Sequence, residues 1–568
     1  MKKLYLTLLM GTGCWSAAQA RDWYVSSGVN SNGVAAGVDD TNPNNPNRGT
    51  LATPFKTIGF AATLALAGET VYVRQGTYAN TGTAGSVFTI SNSGSAVTNG
   101  AITYRYYPGE ARPLLQFNTY TGISVANGVK YIVIDGFRIQ GNNPAITSVI
   151  NGGNTSYALN QPRSCNTHAG AADPIFNGVG ISIGSNGATT FANHITVRNC
   201  DIYDCGQAGI TAIEADYITI DNNKVFNNSW YTVYGSSGIS VLTSRGDGSI
   251  SPTGYNFTIT RNKVFGNELR VPWYNQSDNT CKGFTDGNGI IIDTNTQYSY
   301  TGRTLIANNL VVDNGGAGIT AFQSDKVDII NNTTYHNSKT TTNDAGEIVV
   351  AYSHDVLLQN NIVAASATKF TSTYKYSGAI VLNANLFSSG KGSNLVNNDG
   401  SYTNNTPLYN DPLFQAAGTN LTTADFHLKP GSPAINSGLN SKLSASDLDG
   451  NPRLVGPDPD RGAYESNVVA RQALASSADA PAAITATLEA YPNPFTANTI
   501  LRYTTARSGL VRLEILDGLG RRVALLVDAE VPAGTHEAVF ATALLRGLYH
   551  GRLTTPTGTR ALNIVRAE

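Results

Sequence analysis

Gly180-Ile-Ser-Ile, Gly209-Ile-Thr-Ala, Gly238-Ile-Ser-Val, Gly289-Ile-Ile-Ile and Gly318-Ile-Thr-Ala start 29, 29, 51 and 29 residues apart. Glu347-Ile-Val-Val follows 29 residues later without the glycine, and the long step is a normal one with 22 residues inserted. Gly122-Ile-Ser-Val reads as an earlier member and Ala379-Ile-Val-Leu as a later one. Between them runs a second set of alternating segments that end in asparagine. Ile195-Thr-Val-Arg-Asn, Ile218-Thr-Ile-Asp-Asn-Asn, Phe257-Thr-Ile-Thr-Arg-Asn, Leu305-Ile-Ala-Asn-Asn, Val327-Asp-Ile-Ile-Asn-Asn and Val356-Leu-Leu-Gln-Asn-Asn belong to it. A third short apolar pair follows, as in Lys224-Val-Phe and Asn309-Leu-Val. Three short strands in every 23 to 29 residues are what a parallel β-helix needs, one strand per coil for each of three sheets. A β-sandwich does not predict strand identity that recurs at constant spacing.

Composition agrees. The 568 residues carry a net charge of −1, with 14% charged and 41% hydrophobic, which excludes charge-driven disorder and leaves no basic field for a nucleic acid. Asparagine occurs 57 times, level with glycine at 58. Its amide competes for backbone hydrogen bonds, so it disfavours helices and favours turns. The pairs Asn222/Asn223, Asn308/Asn309, Asn331/Asn332 and Asn360/Asn361 are therefore expected at coil corners, in the left-handed conformation and bonded to their equivalents in adjacent coils.

At the N-terminal end, Thr57-Ile58-x-x-Ala61-Ala62-x-x-Ala65 has helical spacing, and Gly68 stops it before a strand Thr70–Arg74. Such a helix would cover the open edge of the first coil. Ala52-Thr-Pro-Phe-Lys-Thr-Ile58 with Gly68-Glu-Thr-Val-Tyr-Val-Arg-Gln-Gly-Thr-Tyr78 resembles the opening of secreted right-handed parallel β-helix proteins of the pectate-lyase-like superfamily. Ser432-Pro-Ala-Ile-Asn-Ser-Gly438, Asp447-x-Asp449-Gly-Asn-Pro-Arg453 and Arg461-Gly-Ala-Tyr-Glu465 resemble their closing segment. The resemblance implies an all-β, right-handed single-stranded parallel β-helix over 21–466, with an N-terminal helical cap and a groove for an extended polysaccharide.

Residues 1–20, with Lys2-Lys3, an apolar stretch and Ala18-Gln19-Ala20, read as a signal peptide. No later stretch is apolar enough to span a membrane. Residues 467–487 read as an Ala/Ser-rich linker, and lysine is absent beyond Lys442. Tyr491-Pro-Asn-Pro-Phe495, Val511-x-Leu-x-Ile-Leu-Asp517 and Gly547-Leu-Tyr-His-Gly-Arg-Leu553 resemble the C-terminal sorting domain of the type IX secretion system, a small β-sandwich at 488–568. That resemblance implies the type IX secretion machinery as a partner and a secreted or cell-surface monomer. Of four cysteines in the mature chain, Cys200 is expected to pair with Cys205, and Cys165 with Cys281.

The chemistry is expected around 231–300. Aligning the glycine-led repeats puts Ile213, Leu242, Asp293, Phe322 and Ala351 in one column, and Glu214, Thr243, Thr294, Gln323 and Tyr352 in the next. Asp293 replaces an apolar residue in a column read as buried or near a corner, where a carboxylate is costly unless paired, metal-bound or catalytic. Asp286 and Lys282 stand close by in sequence, with Glu214 and Glu268 in reach of the same groove. Trp273 and Tyr274 offer faces for sugar rings, and Arg270 and Lys282 offer cations for carboxylates. Two reactions fit. In β-elimination from an acidic polysaccharide Lys282 is the base and Asp286 and Asp293 are ligands for Ca²⁺. In hydrolysis Asp293 works with Asp286, Glu214 or Glu268 as a carboxylate pair. Elimination leads on the superfamily resemblance, and a non-catalytic glycan-binding surface protein is the third reading. Pectate lyases of the ninth polysaccharide lyase family carry a clustered Asp-Asp-Gly-x-Asp calcium site and an Asn-Gly-Phe-Lys-Leu strand. Here Ser236-Ser237-Gly238-Ile239-Ser240 and Asn288-Gly289-Ile290-Ile291-Ile292 stand there, so that family's catalytic residues do not carry over.

Overall fold

The computed structural model describes residues 20–28, 36–80, 85–151, 174–246, 254–275, 280–340, 345–390, 396–398, 401–466, 487–505, 508–517, 521–541, 546–555 and 558–567. The proposed signal peptide and linker therefore lie almost wholly outside the described residues. Two units divide at Ala470/Arg471. The first is the expected β-helix, with parallel sheets of 12, 10 and 10 strands. One coil supplies Ile210–Ile213, Asp216–Asp221 and Lys224–Phe226, one strand to each sheet. The glycine-led repeats stack in register, Ile210 on Ile239, Ile290, Ile319 and Ile348. Every second side chain of these strands turns into the solenoid, where Ile239, Val241, Ile290, Ile292, Ile319 and Ala321 are fully buried. The glycine column has a packing cause. A Cβ on Gly289 would lie 2.4 Å from Val311 Cγ1 and 2.7 Å from the Gly318 carbonyl oxygen, so the corner closes only without a side chain there.

Each asparagine pair divides its work. The first members, Asn222, Asn308, Asn331 and Asn360, hold the left-handed corner at φ 55, 56, 54 and 56°. The second members, Asn223, Asn309, Asn332 and Asn361, are buried. With Asn262 and Asn385 they form a ladder in which each backbone N–H and each Nδ2 donates to the Oδ1 of the next rung at 2.9–3.0 Å. A second ladder, unread in the sequence, runs through Asn228, Asn267, Asn314 and Asn337 at the opposite end of the third-sheet strands. Cys200 and Cys205 take the first rungs, their N–H groups donating to Asn223 and Asn228. The expected Cys200–Cys205 disulfide is absent; both thiols are free and buried. The strand Asp201–Tyr203 separates them, and about 3.3 Å of rise per residue puts them far beyond disulfide reach. Cys165 lies outside the described residues, as does the side chain of Cys281.

Glu347 ends the second ladder. It occupies the glycine column, is fully buried, and accepts from Asn337 N at 2.8 Å and Asn337 Nδ2 at 2.6 Å. Burial pushes its carboxyl up to about 8 from 4.5, against the opposing pull of the Asn337 donors. The folded state thus holds this proton more tightly than the unfolded chain. Its contribution to stability is fully present below pH 4.5 and is lost as pH rises through 8, by at most about a factor of ten in the folding constant per pH unit. Glu347→Gln is expected to flatten that slope, with the variant gaining on the wild type from pH 5 to 8 in thermal denaturation. Parallel curves would show that the carboxyl does not titrate differently on folding.

The insertion is split rather than projecting from one place. The link between the first and second strands of a coil grows from two residues (214–215) to twelve (243–254). The link back to the next glycine grows from eleven (227–237) to 23 (266–288), and in it Trp273–Asn275 pairs antiparallel with Thr280–Gly283. Uniform strand lengths hide where the extra residues enter.

The cap helix is Ile58–Leu64, with the Thr57 hydroxyl accepting from Phe60 N and Ile58, Ala61 and Ala62 buried. The closing segment lays Phe414, Phe426, Leu428 and Tyr464 over Val312, Ile362 and Leu386 of the third sheet. Its acidic residues serve the backbone: Asp447 accepts from the N–H groups of Asp449, Asn451 and Glu465, and Asp460 from those of Asn436 and Ser466. In the second unit, antiparallel sheets of three and four strands share a core that includes Tyr503, Phe540, Leu513 and Ile564. No helix among the described residues is long and apolar enough to cross a membrane.

Candidate active site

The strand Ile290–Asp293 buries Ile290 and Ile292, so Ile291 and Asp293 face outward. Register sets Asp293 between Leu242 and Phe322, with Ile213 before them and Ala351 and Lys375 after. This outward column is the floor of a groove of ≈1340 Å³. Asp293 is half-buried at the groove's corner edge, the second of the two places, buried or near a corner, that the sequence alignment allowed. The αL residue Thr294 follows, its hydroxyl donating to Asp293 Oδ1 at 2.6 Å.

The hairpin built by the insertion forms the wall. Trp273, Tyr274 and Lys282 line the groove from it, and Phe284 to Asp286 lead down to the floor. Asp286 approaches Gly235 so closely that a Cβ there would stand 3.1 Å from Asp286 Oδ2. The Thr285 hydroxyl donates to Asp286 Oδ2 at 2.9 Å, and the Trp273 indole N–H donates to Thr285 Oγ1. Burial, then the charge of Asp293, pushes the Asp286 carboxyl up to about 7, with the Thr285 hydrogen bond opposing. Burial also raises Asp293, opposed by the Thr294 hydroxyl. Two carboxyls that feel each other in an apolar groove titrate apart, one keeping its proton while the other ionises.

The other sequence candidates lie elsewhere. Glu214 is buried, and its carboxylate accepts from Gly187 N and Ala188 N at 2.9 Å, with Arg245 at 3.5 Å. Glu268 binds Arg270 at 2.7 Å and Lys339 at 3.2 Å, while the Arg270 guanidinium lies 3.3 Å from the Trp230 ring centroid. Gln323 sits at an αL corner with φ 45°, one residue past the groove-lining Phe322. Sequence reasoning missed Lys375 and the lining role of Tyr352; Lys375 continues the Asp293 column in a coil that has no glycine to announce it.

Calcium takes six to eight oxygen ligands. Asp286 and Asp293 bring two carboxylates and two hydroxyls beside Phe284, Ile291 and Phe322, and no cluster of three or more His, Cys, Asp or Glu suited to a metal exists among the described residues.

Residues 38–348 match the family described as "Pel9A-like, right handed beta helix region". Similar solved structures include pectate lyase Pel9A, at 15% identity over 79% of this chain and 97% of that one with a TM-score of 0.42. XylC in complex with xylose is similar at 11% identity over 96% and 100%, TM-score 0.38. The A-module of the Azotobacter vinelandii mannuronan C-5 epimerase AlgE6 is similar at 13% identity over 62% and 93%, TM-score 0.32. Among curated proteins none matches the chain.

Proposed function

The chain belongs to the Pel9A-like right-handed β-helix family, and from that premise we propose that it is a secreted enzyme that cleaves a polysaccharide lying in the groove, with Asp286 and Asp293 as its acid–base pair. The observation that carries this reading is the juxtaposition of these two carboxyls on the floor and wall of one aromatic-lined groove. Asp286, holding its proton near neutrality, donates it to the departing glycosidic oxygen. Asp293, ionised, activates the incoming water or attacks the anomeric carbon, which are the two geometries of glycoside hydrolysis. Trp273 holds the Thr285 hydroxyl against Asp286 and so fixes the donor's direction. Elimination is the second reading, favoured by Lys282, which lines the same groove as a candidate base. Motif order at 488–568, together with a separately packed sandwich there, supports export through the type IX machinery.

The test incubates the purified chain with polygalacturonate, rhamnogalacturonan, alginate and xylan, each with Ca²⁺ or with a chelator. Reducing ends and the ultraviolet absorbance of an unsaturated uronate are followed together. New reducing ends without absorbance, indifferent to the chelator, are expected. Absorbance rising in step would replace hydrolysis by elimination, and silence in both channels would overturn the enzyme reading.

A further inference from the structure

The corner residues that follow the groove strands change character along the solenoid. Glu214, Thr243, Thr294 and Gln323 are polar, and then Tyr352 and Tyr376 take over, all six in the left-handed conformation. A bulky side chain at positive φ is uncommon and wants a reason. The two tyrosines stack on each other, centroids 5.0 Å apart and planes at 25°, and Phe322 meets Tyr352 edge-on at 5.6 Å. Their rings are not folded away: Tyr352 is 46% and Tyr376 63% exposed. Contiguous exposed aromatics at the edge of a groove mark a binding surface.

Their place says what would bind. Tyr352 lines the same groove as Asp293, and Phe322, Ala351 and Lys375 continue the Asp293 column one coil at a time. Coils are spaced about 4.8 Å apart, so Tyr376 lies about 14 Å along the axis from Asp293. An extended saccharide chain cleaved at Asp293 would still be running along the corner there. Tyrosine presents an apolar ring face to the C–H face of a pyranose and a hydroxyl to its edge. Lys375, exposed and adjacent, adds a cation to the same end of the groove.

We propose that Phe322, Tyr352 and Tyr376 form a sugar-stacking subsite, with Lys375 at its rim, that grips the pyranose rings of a polysaccharide one, two and three coils beyond the carboxyl pair. This rests on the groove being a saccharide site. It makes the enzyme prefer long chains over short ones, because only a long chain reaches both the carboxyls and the tyrosines.

Affinity electrophoresis of the full chain through gels cast with each of the four polymers reads binding apart from cleavage. At least one polymer is expected to retard the wild type. Tyr376→Ala should weaken that retardation about five- to tenfold and raise KM on the polymer by a similar factor. Tyr376→Trp should restore it, and Tyr409→Ala, another exposed tyrosine in the closing segment, should bind like the wild type. Equal binding by wild type and Tyr376→Ala overturns the subsite, as does no binding of any polymer by the wild type. Cleavage that persists with Tyr376→Ala unchanged removes the subsite and leaves the enzyme. Tyrosine-dependent binding without cleavage removes the enzyme and leaves the subsite.

Discussion

Asp286→Asn is expected to lower kcat/KM on the preferred polymer by about 10³-fold, within the roughly 10²- to 10⁴-fold that a positioned general acid contributes. An asparagine keeps the shape and still accepts from Thr285, so the fold and the wall of the groove stay intact while the transferable proton is gone. Asp293→Asn should cost a similar factor for the complementary reason, the loss of the ionised partner. The pH profile discriminates between them. The wild type needs Asp286 protonated and Asp293 ionised, so its rate falls as pH rises through about 7 and falls again on acidification as Asp293 takes up its proton. Because the Asp293 charge is the second cause that raises Asp286, Asp293→Asn should draw the residual alkaline limb to lower pH. In Asp286→Asn that limb should vanish. A rate within threefold of wild type in either variant would remove that residue from the chemistry.

This candidate pair could be singled out in the sequence because Asp293 rides on periodicity. The glycine-led spacing put Asp293 in one column with Leu242, Phe322 and Ala351, and a short loop tied Asp286 to the same turn. Whether that column was buried or near a corner stayed open, because column identity says which residues stack, while the face they take depends on which strand residue meets the core first. Glu268, Arg270 and Glu214 were less legible. Glu268 and Arg270 sit in a link whose side-chain directions no period governs, Glu214 sits in the periodic corner column but accepts from the Gly187 and Ala188 N–H groups, and each finds a partner within the protein. The disulfide failed for a related reason: sequence proximity of Cys200 and Cys205 concealed a strand running between two corners. The second ladder hid because Asn267, Asn314 and Asn337 follow Gly266, Asp313 and His336 and make no asparagine pair to catch the eye.

Asn332→Leu should cost the β-helix more stability than any other asparagine change considered. The residue is fully buried, and its Oδ1 accepts from Asn309 N at 3.0 Å and Asn309 Nδ2 at 2.9 Å. Its Nδ2 donates to the Ile306 carbonyl at 2.9 Å and to Asn361 Oδ1 at 3.0 Å. Leucine nearly matches the shape and abolishes these four bonds and a fifth to the Ile330 carbonyl at 3.2 Å, leaving the Asn309 N–H and one hydrogen of its amide without their buried acceptor. At about 1–3 kcal/mol for each orphaned buried group, the loss is on the order of 4 kcal/mol. Ladder rungs lean on one another, so the damage should not stay within one coil. Asn222→Gly is the counterpart. Asn222 is an exposed corner residue at φ 55° whose conformation glycine adopts freely, and the change should stay within about 1 kcal/mol. Denaturant unfolding of the two variants separates the jobs that one residue type performs at adjacent positions. If Asn332→Leu unfolded near the wild-type midpoint, the ladder would be a consequence of the coil rather than one of its supports.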